Sequence, residues 1–417
     1  MPDVTRLHPK DFSSDLDEIA REGARRMLAE ALEAEVADYI ARHQERDENG
    51  RARVVRNGKA QPRKVTLGSG TIEVRAPRVD DRRQGEDGRL HTFRSQILPP
   101  YMRRSPKVAE VLPILYLRGL STGDFKEGLA ALLGDDAAGL SPTAITRLTA
   151  AWQADYEAFQ KRDLSERDYV YVWADGVHFR IRLEEDRLCA LVMIGVRPDG
   201  TKELIAIEDG YRESAESWAT LLRGLKRRGM RAPVLAVGDG ALGFWKAMRD
   251  VWPETRGQRC WVHRIANVLD KLPKRLHTKA KGALHEIMRA ETRKAARQAI
   301  EHFEADYGAK YPKAVASLRR DETELLAFFD FPAEHWLHLR TGNVIESPFA
   351  TVRLRQRVTK GAGSRQKGLL MAFQLLAMAE RRWRRINGAE KVPMVRAGVR
   401  FRDGSAVARH VSETRAA

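Results

Sequence analysis

The chain has 417 residues and a formal net charge of +17, from 74 lysines and arginines against 57 aspartates and glutamates. This length allows two or three compact units, and the basic balance favours a polyanionic partner, with nucleic acid as the first candidate. The two cysteines, Cys189 and Cys260, are too few for a disulfide framework or a four-cysteine zinc site, so we expect reduced thiols. No run approaches the roughly eighteen apolar residues of a membrane helix, and the first residues lack a signal-peptide pattern. We therefore expect a soluble intracellular protein with no membrane partner.

A long helix is expected first, from about Asp11 to Arg46. Apolar residues recur three and four positions apart in LDEIAREGARRMLAEALEAEVADYIA, with charged residues between them. We interpret this helix, in a region of residues 1–50, as a candidate self-association element. In the next region, residues 51–104, the segment RKVTLGSGTIEVRAPRVDDRR alternates β-forming residues around a Gly-Ser-Gly turn. This pattern predicts a basic β-hairpin that suits a phosphate backbone.

Residues 105–165 have a helical pattern. The segment STGDFKEGLAALLG is followed by a break and then by SPTAITRLTAAWQADYEAF, where Ser141 is placed as N-cap and Pro142 as the first helical residue. The pair resembles a DNA-binding helix-turn-helix. Two amphipathic helices joined by a short loop also occur in plain helical bundles, so DNA binding and simple packing both remain open.

The segment from about Tyr169 to Pro273 has the pattern of an α/β fold. Three strands are expected in DYVYVWADG, HFRIRLEEDRLCALVMIGVRPDG and KELIAIEDGYR, followed by a helix, a strand ending in VGD and a second helix. A right-handed crossover can place the strand that ends at Asp239 beside the strand that ends at Asp175. Each acid precedes a glycine, so an ordinary Asp-Gly turn is the alternative interpretation of both.

Two clustered carboxylates on a basic protein suggest phosphodiester chemistry. Two Mg²⁺ ions about 3.5 to 4 Å apart can activate a nucleophile and stabilise the leaving oxygen, and Mg²⁺ prefers oxygen ligands. Such a site usually needs a third acid, and Glu346 in HLRTGNVIESPFATVRLRQR is the candidate. Asp239 lies 64 residues after Asp175, and Glu346 lies 107 residues after Asp239. The second interval is long enough to hold a helical domain.

Glu346 also has a structural alternative. Asn343 and Glu346 have the spacing of a helix capping box, in which Asn343 would be the N-cap. Pro348 fits the first turn of a helix better than its interior, so we expect Glu346 at a helix start or just before it.

Six motifs, taken in order, resemble the Mutator-type transposases of bacterial insertion sequences, a family of DDE transposases, from about residue 50 to residue 390. They are ADGVHFRIRLEEDRLCALVMIGV, KELIAIEDGYRESAESWATLL, VGDGALGFWKAM, QRCWVHRIANVLDKLPK, PAEHWLHLRTGNVIESPFATVRLR and TKGAGSRQKGLLMAFQLL. The resemblance implies an α/β fold with a ribonuclease H-like catalytic core, residues 166–262 and 340–390, and a mainly helical N-terminal DNA-binding region. A helical insertion, residues 263–339, would interrupt the core, and residues 391–417 would form a C-terminal tail.

The resemblance also implies a reaction. Asp175, Asp239 and Glu346 would be the catalytic triad and the metal ligands, with Asp175 bridging two divalent ions and each of the other acids completing one. The ions would be Mg²⁺, with Mn²⁺ as a substitute. The enzyme would cut double-stranded DNA at the terminal inverted repeats of an insertion sequence and join these ends to target DNA, without a covalent enzyme intermediate.

Cutting and joining two ends together implies a homo-oligomer of at least two chains in the bacterial cytoplasm, associated with the nucleoid. Two alternatives remain. One is a domesticated DNA-binding protein of the same fold, and the other is a metal-dependent nuclease that only hydrolyses DNA.

Three further residues match the family motifs and are expected to support the site: Cys260, His263 and Asn343. Cys260 and His263 invite a zinc interpretation, with His277 or His285 as further ligands. With one cysteine nearby and a spacing that fits no closed four-ligand set, packing and hydrogen bonding are the favoured roles.

The segment around Glu346 also contains candidates for DNA contact. Trp336 is interpreted as a core residue, with stacking on an unpaired base, worth about 1 to 3 kcal/mol, as the alternative. The run RLRQRVTKGAGSRQK could be a solvated helix face, but its position beside Glu346 favours phosphate contact. The candidate DNA-binding residues are Trp336, Arg353, Arg355, Arg357, Lys360, Arg365 and Lys367.

Overall fold

The computed structural model describes residues 12–85, 88–118, 142–181, 188–210, 214–240, 242–359 and 364–407. The protein is mixed α/β and divides into two compact units, Met1–Leu148 and Thr149–Ala417. Helices and strands are numbered in chain order within the described residues. No helix in these ranges combines the length and the apolar character needed to cross a membrane. The finer regions expected from the sequence stay a prediction.

The first unit contains α1 (Phe12–Arg42), β1 (Val54–Lys59), β2 (Arg63–Leu67), β3 (Gly70–Val74), β4 (Pro77–Asp81) and α2 (Pro106–Arg118). Strands β2 and β3 form an antiparallel hairpin at the expected Gly-Ser-Gly turn, where Leu67 pairs with Gly70. Strand β1 pairs with β4, although its sequence VVRNGK lacks the alternation that would have indicated a strand. Leu32 of α1 packs with Val65 and Ile72 of the hairpin in a small apolar core.

The helix-turn-helix hypothesis falls largely on residues 119–141, which lie outside the described part of the chain. The expected second helix is present as α3 (Pro142–Lys161), which begins at the expected proline. DNA binding by this pair therefore stays a prediction.

The second unit continues with β5 (Tyr171–Phe179), β6 (Leu188–Val196), β7 (Lys202–Asp209), α4 (Ala215–Arg227), β8 (Leu235–Gly238), α5 (Leu242–Val251), β9 (Arg256–Arg259) and α6 (Trp261–Leu269). The strands form one sheet in the order β7-β6-β5-β8-β9. Neighbours are antiparallel within β5, β6 and β7, and parallel from β5 to β8 and from β8 to β9. The expected order of three strands, helix, strand and helix is confirmed. Strand β9 was missed because RGQR has no apolar alternation.

One strand boundary was predicted incorrectly. We expected a strand to end at Asp175 and a second strand to begin near His178, but β5 runs without a break from Tyr171 to Phe179. The reason is its antiparallel pairing with β6, which continues through Asp175, opposite Val192, as far as Phe179. Only the parallel pairing with β8 stops before the acid, at Ala174. Asp175 is therefore a strand residue, not a turn residue.

The remaining chain is almost entirely helical. It contains α7 (His277–Arg289), α8 (Arg293–Tyr307), α9 (Pro312–Arg319), α10 (Glu322–Leu325), α11 (Trp336–Leu339), α12 (Asn343–Thr359), α13 (Arg365–Glu380) and α14 (Val392–Arg396). Short 3₁₀ turns lie at Lys274–Leu276, Ala327–Asp330, Ala333–His335 and Ala389–Lys391, and β10 (Phe401–Arg402) pairs with β11 (Ser405–Ala406).

The sheet of the second unit is covered by helices on both faces. Every residue of β6, LCALVMIGV, is buried, as expected for an inner strand with two covered faces. On one face, Trp218 of α4 and Phe244 of α5 pack with Val172 and Ala174 of β5. On the other face lie α12 and α13. Because side chains alternate along a strand, Asp175 faces away from the layer of α4 and α5.

Candidate active site

Asp175 and Asp239 directly follow the end of the parallel pairing between β5 and β8. Ala174 of β5 and Gly238 of β8 form the last parallel pair between these strands, and each acid is the next residue along its chain. Neighbouring strands lie about 4.8 Å apart. Two parallel strands therefore place the two carboxylates side by side at one end of their pairing, which is the arrangement that the sequence predicted.

Glu346 reaches the same place from a helix. It lies in the first turn of α12, as expected, and this helix packs against β5. Pro348, which we expected in the first turn, lies inside the helix instead. Burial is the largest cause that raises the pKa of Asp175 to about 6, followed by the charge of Asp239, and the charge of Glu346 adds to the effect. The three carboxylates are therefore close enough to repel one another.

Gly342 leaves room for the Glu346 carboxylate. The backbone N–H of Glu346 donates to the carbonyl oxygen of Gly342 over 2.9 Å, which fixes the start of α12. A Cβ atom at position 342 would lie 2.7 Å from Glu346 Oε1, closer than van der Waals contact allows. The Gly342 N–H donates to the Sγ atom of buried Cys260 over 3.1 Å. Cys260 thus holds the loop that precedes the helix of Glu346.

His263 lies beside the same carboxylate. Its Nδ1 atom is 3.8 Å from Glu346 Oε1, and these two atoms and Cys260 Sγ lie within 4.8 Å of one another. Contact with the Cys260 thiol, together with the charges of Glu346 and Asp239, raises the pKa of His263 to about 9. The imidazole is therefore positively charged at neutral pH and offsets part of the negative charge of the acids.

A closed zinc site is not assembled from the histidines considered in the sequence. Within the described ranges, the cluster of candidate ligands around Cys260 contains His263 and Glu346 but not His277 or His285. His277 Nε2 instead lies 2.9 Å from the carbonyl oxygen of Leu272. Three donors fall short of the four that a structural zinc site uses.

The backbone of Asp239 is held by two residues that the sequence interpretation did not single out. Trp245 Nε1 donates to the Asp239 carbonyl oxygen over 2.7 Å, and Arg259 Nη1 donates to the same oxygen over 2.9 Å. The Arg259 guanidinium also lies over the Trp245 ring, 4.3 Å from its centroid. Both residues lie close in sequence to the motifs GDG and RCWVH, and this proximity could have indicated that they support the site.

The candidate DNA-binding residues are dispersed. Trp336 is buried, donates from Nε1 to the Phe331 carbonyl oxygen over 2.9 Å and packs edge-on against Phe328 and Phe329. This placement favours its role as a core residue.

Asn343, expected to support the site, is exposed at the first position of α12.

The basic run after Glu346 is only partly described. Arg353 is exposed, with its guanidinium 5.9 Å from the centroid of the Phe349 ring. Arg365 forms an ion pair with Asp209 over 2.8 Å, and Lys367 is exposed. Lys360 and the side chains of Arg355 and Arg357 lie outside the described part of the structure.

The donors at this site suit a hard divalent cation. Asp175 lies close enough to Asp239 and Glu346 for both charges to act on it, although the ligand atoms of the three acids do not all lie within 4.8 Å of one another. One oxygen, Glu346 Oε1, is buried without a hydrogen-bond partner in the described part of the chain. Carboxylate oxygens are the ligands that Mg²⁺ and Mn²⁺ prefer. A bound cation would satisfy this oxygen and lower the repulsion that raises the pKa of Asp175.

The fold and the site thus define a mixed α/β protein with a carboxylate cluster at the end of a parallel strand pair. The family described as "Transposase, Mutator family" matches residues 3–384, and the chain belongs to this family. The resemblance found in the sequence motifs is thereby confirmed.

Individual relatives agree with this assignment. The transposase for insertion sequence element IS6120 of Mycolicibacterium smegmatis is 60% identical over 297 residues, which cover 71% of this chain and 92% of the relative. The transposase for insertion sequence element IST2 of Acidithiobacillus ferrooxidans is 50% identical over 287 residues, or 67% of this chain and 95% of the relative. Among solved structures, the HTLV-2 integrase catalytic core domain in complex with magnesium matches 27% of this chain and 82% of its own, at 17% identity and a TM-score of 0.16.

Proposed function

We propose that the protein is a metal-dependent DDE transposase that cleaves DNA at the ends of an insertion sequence and joins them to target DNA. Asp175, Asp239 and Glu346 are its catalytic acids. The observation that carries the proposal is the convergence of these acids, at the end of the β5 and β8 pair and on α12, in a member of the Mutator family.

The sheet topology supports a ribonuclease H-like core. Three antiparallel strands, β5 to β7, form one side of the sheet, and β8 and β9 continue parallel to β5 on the other. The helices from α6 to α11 separate β9 from α12, which carries Glu346. We propose that these helices form the helical insertion that the family resemblance implies between the second and third acids.

The three carboxylates would hold two divalent ions, Mg²⁺ or Mn²⁺. Bound there, the ions would supply an activated nucleophile and charge stabilisation at the leaving oxygen of a phosphodiester. The protein's task is to hold its ligands in place before substrate arrives. One oxygen of Asp175 accepts the Gly176 N–H over 2.8 Å, while Trp245 and Arg259 hold the backbone of Asp239.

Cys260 and His263 have separate supporting roles. The Cys260 thiol accepts the N–H of Gly342 and so fixes the loop before Glu346. The protonated His263 lies 3.8 Å from the Glu346 carboxylate and limits its rotation by charge attraction. Neither role requires Cys260 or His263 to bind a metal ion.

The partner is double-stranded DNA, at the terminal inverted repeats and at the target. The net charge of +17 supports this choice because basic proteins attract the phosphate backbone over a distance. Two ends must be cut and joined in one event, so the active form is an oligomer of at least two chains, in the bacterial cytoplasm and at the nucleoid.

The experiment is cleavage and joining of labelled DNA that carries the element's ends, with Mg²⁺ or with EDTA. Wild type is compared with Asp175→Asn, Asp239→Asn and Glu346→Gln, and with Asp250→Asn as a control, since Asp250 is exposed on α5. We expect joined product from wild type and the control with metal, and DNA binding without product from the three variants.

The other outcomes select other functions. Nicked DNA without joined product from wild type would indicate a nuclease that only hydrolyses. Binding without any product would indicate a DNA-binding protein without catalysis. Full activity in the three variants would exclude the proposed site.

A further inference from the structure

Helix α7 presents a basic face that the proposed active site does not use. Its apolar side is buried through Ala280, Leu284 and Ile287. On the side turned away from this core, Lys281, His285 and Arg289 follow one another at intervals of four residues, so they align on successive turns. Thr278 and Gly282 complete this surface, which we call the basic face. The exposed carboxylate of Glu286 borders this surface, one turn from Gly282 and from Arg289.

The charges of the basic face are not neutralised by neighbours. Lys281 and Arg289 are exposed and make no ion pair within the ranges that the structure describes. By contrast Lys279, on another side of α7, lies 3.5 Å from Asp306. The pKa of His285 is lowered by partial burial and then by the charges of Arg289 and Lys281. The charges of Lys281 and Arg289 therefore both act on His285, which lies between them along the helix.

Gly282 lies on the basic face, between Lys281 and Arg289 along the helix. A Cβ atom there would have no neighbour within 4 Å among the described atoms, so packing within the chain does not require a glycine. Glycine is unfavourable inside a helix. Its absence of a side chain lets another molecule approach the helix backbone between Lys281 and Arg289.

The C-terminal end of α7 is tied to the chain that leads into the active site. Arg340 Nη1 donates to the carbonyl oxygen of Met288 over 2.7 Å, and the Arg340 carbonyl oxygen accepts the N–H of Trp261 over 2.9 Å. Gly342, which makes room for the Glu346 carboxylate, follows two residues later. The basic face therefore starts beside the active site at Arg289 and runs away from it towards Thr278.

We propose that the basic face of Thr278, Lys281, Gly282, His285 and Arg289 binds the phosphate backbone of duplex DNA whose strand reaches the carboxylate site. The inference rests on the proposed function and adds a contact surface outside the basic run that follows Glu346. The eight residue steps from Lys281 to Arg289 rise about 12 Å along the helix axis, which matches the axial rise of about three to four nucleotides of one strand. The spacing suits a phosphate contact at each end of this interval.

The test is DNA binding by the full chain as a function of salt concentration. Lys281→Gln with Arg289→Gln removes two charges from the basic face. Lys310→Gln with Lys313→Gln is the matched control, because it removes two exposed charges elsewhere in the second unit. Loss of two phosphate contacts makes the plot of log K against log salt less steep by about 1.8. When salt rises from 50 to 200 mM, the fold loss of affinity should therefore be about twelve times smaller in the variant than in wild type.

Two labelled duplexes distinguish the source of the DNA. A lower slope on the duplex with the element's end assigns the basic face to end DNA, and a lower slope on an unrelated duplex assigns it to target DNA. A slope equal to that of the control variant on both duplexes would overturn the inference. An unchanged unfolding temperature shows that the variant is folded. If wild type joins DNA while this slope is unchanged, the proposed function stands and only the basic face is rejected.

Discussion

Replacing Gly342 with alanine should disable the active site without unfolding the protein. The new Cβ atom would lie 2.7 Å from Glu346 Oε1. An ordinary carbon–oxygen contact is about 3.4 Å, so the carboxylate must move by about 0.7 Å. Misplacement of a reacting group by about 1 Å can cost about a hundredfold in rate. We therefore expect the rate of DNA joining to fall by about ten- to a hundredfold.

The fold should tolerate this change. Gly342 is not among the glycines with a left-handed backbone, so alanine adds no backbone strain there. The nearest atoms that the methyl meets include the mobile end of Glu346 and, at 3.7 Å, Cys260 Sγ. We expect an unchanged unfolding temperature and a weaker Mn²⁺ affinity, which a titration of the metal spectrum can follow without any reaction.

The measurement is the single-turnover rate of joining for Gly342→Ala beside Gly224→Ala. Gly224 lies in α4 of the same unit, where the nearest atom to a new Cβ would be Arg227 Nη2 at 4.0 Å. The control should react like wild type. Wild-type rate and Mn²⁺ affinity in Gly342→Ala would refute the account of how Glu346 is placed, and so would an equal loss in both variants.

Three further changes test the surroundings of the site by thermal and chemical unfolding. In EDTA at pH 7.5, Asp175→Asn should be more stable than wild type by about 1 to 3 kcal/mol, because a pKa raised to about 6 makes the ionised form unfavourable in the folded chain. This gain in stability should grow as the pH rises from about 4 to 6 and then level off. Equal stability of the variant and wild type at pH 7.5 would contradict the crowding of the acids. Cys260→Ala should lose about 1 to 3 kcal/mol, because the N–H of Gly342 is left without its acceptor; Cys260→Ser is the matched control and should lose less. Arg264→Ala should lose about 3 to 5 kcal/mol, since buried Arg264 is paired with Asp321, and a loss below about 1 kcal/mol would show that the pair contributes little.

Periodicity and motif order were sufficient to predict the central elements. The apolar runs before Asp175 and Asp239 indicated neighbouring strands, and the sheet pairs them as Ala174 with Gly238, directly before the acids. Local pattern could not fix where β5 ends, because its continuation to Phe179 depends on pairing with β6. Strand β9 was not predicted for the same reason. The segment RGQR forms a strand because it pairs in parallel with β8, and its own composition does not indicate a strand.

The residues that hold the active site in place were harder to predict from the sequence than its three acids. Asp175 and Asp239 are candidates because they follow apolar strand patterns, and Glu346 is a candidate from its position before a basic helix and from the order of the family motifs. Arg259 donates to the Asp239 carbonyl oxygen, 20 residues earlier in the chain, and the Gly342 N–H donates to Cys260 Sγ, 82 residues earlier. Such contacts leave no periodic signal in a single sequence.

The most direct measurement of the central claim is a change of metal preference. Thiolate is a softer ligand than carboxylate and disfavours Mg²⁺ relative to Mn²⁺. Asp175→Cys, Asp239→Cys and Glu346→Cys are assayed for DNA joining with each metal, beside Asp250→Cys as a control. The account predicts that the three variants are inactive with Mg²⁺ and that Mn²⁺ restores joining in at least one of them, while the control joins with both metals. Joining with Mg²⁺ in all three variants, or no recovery with Mn²⁺ in any of them, would contradict metal binding by these carboxylates.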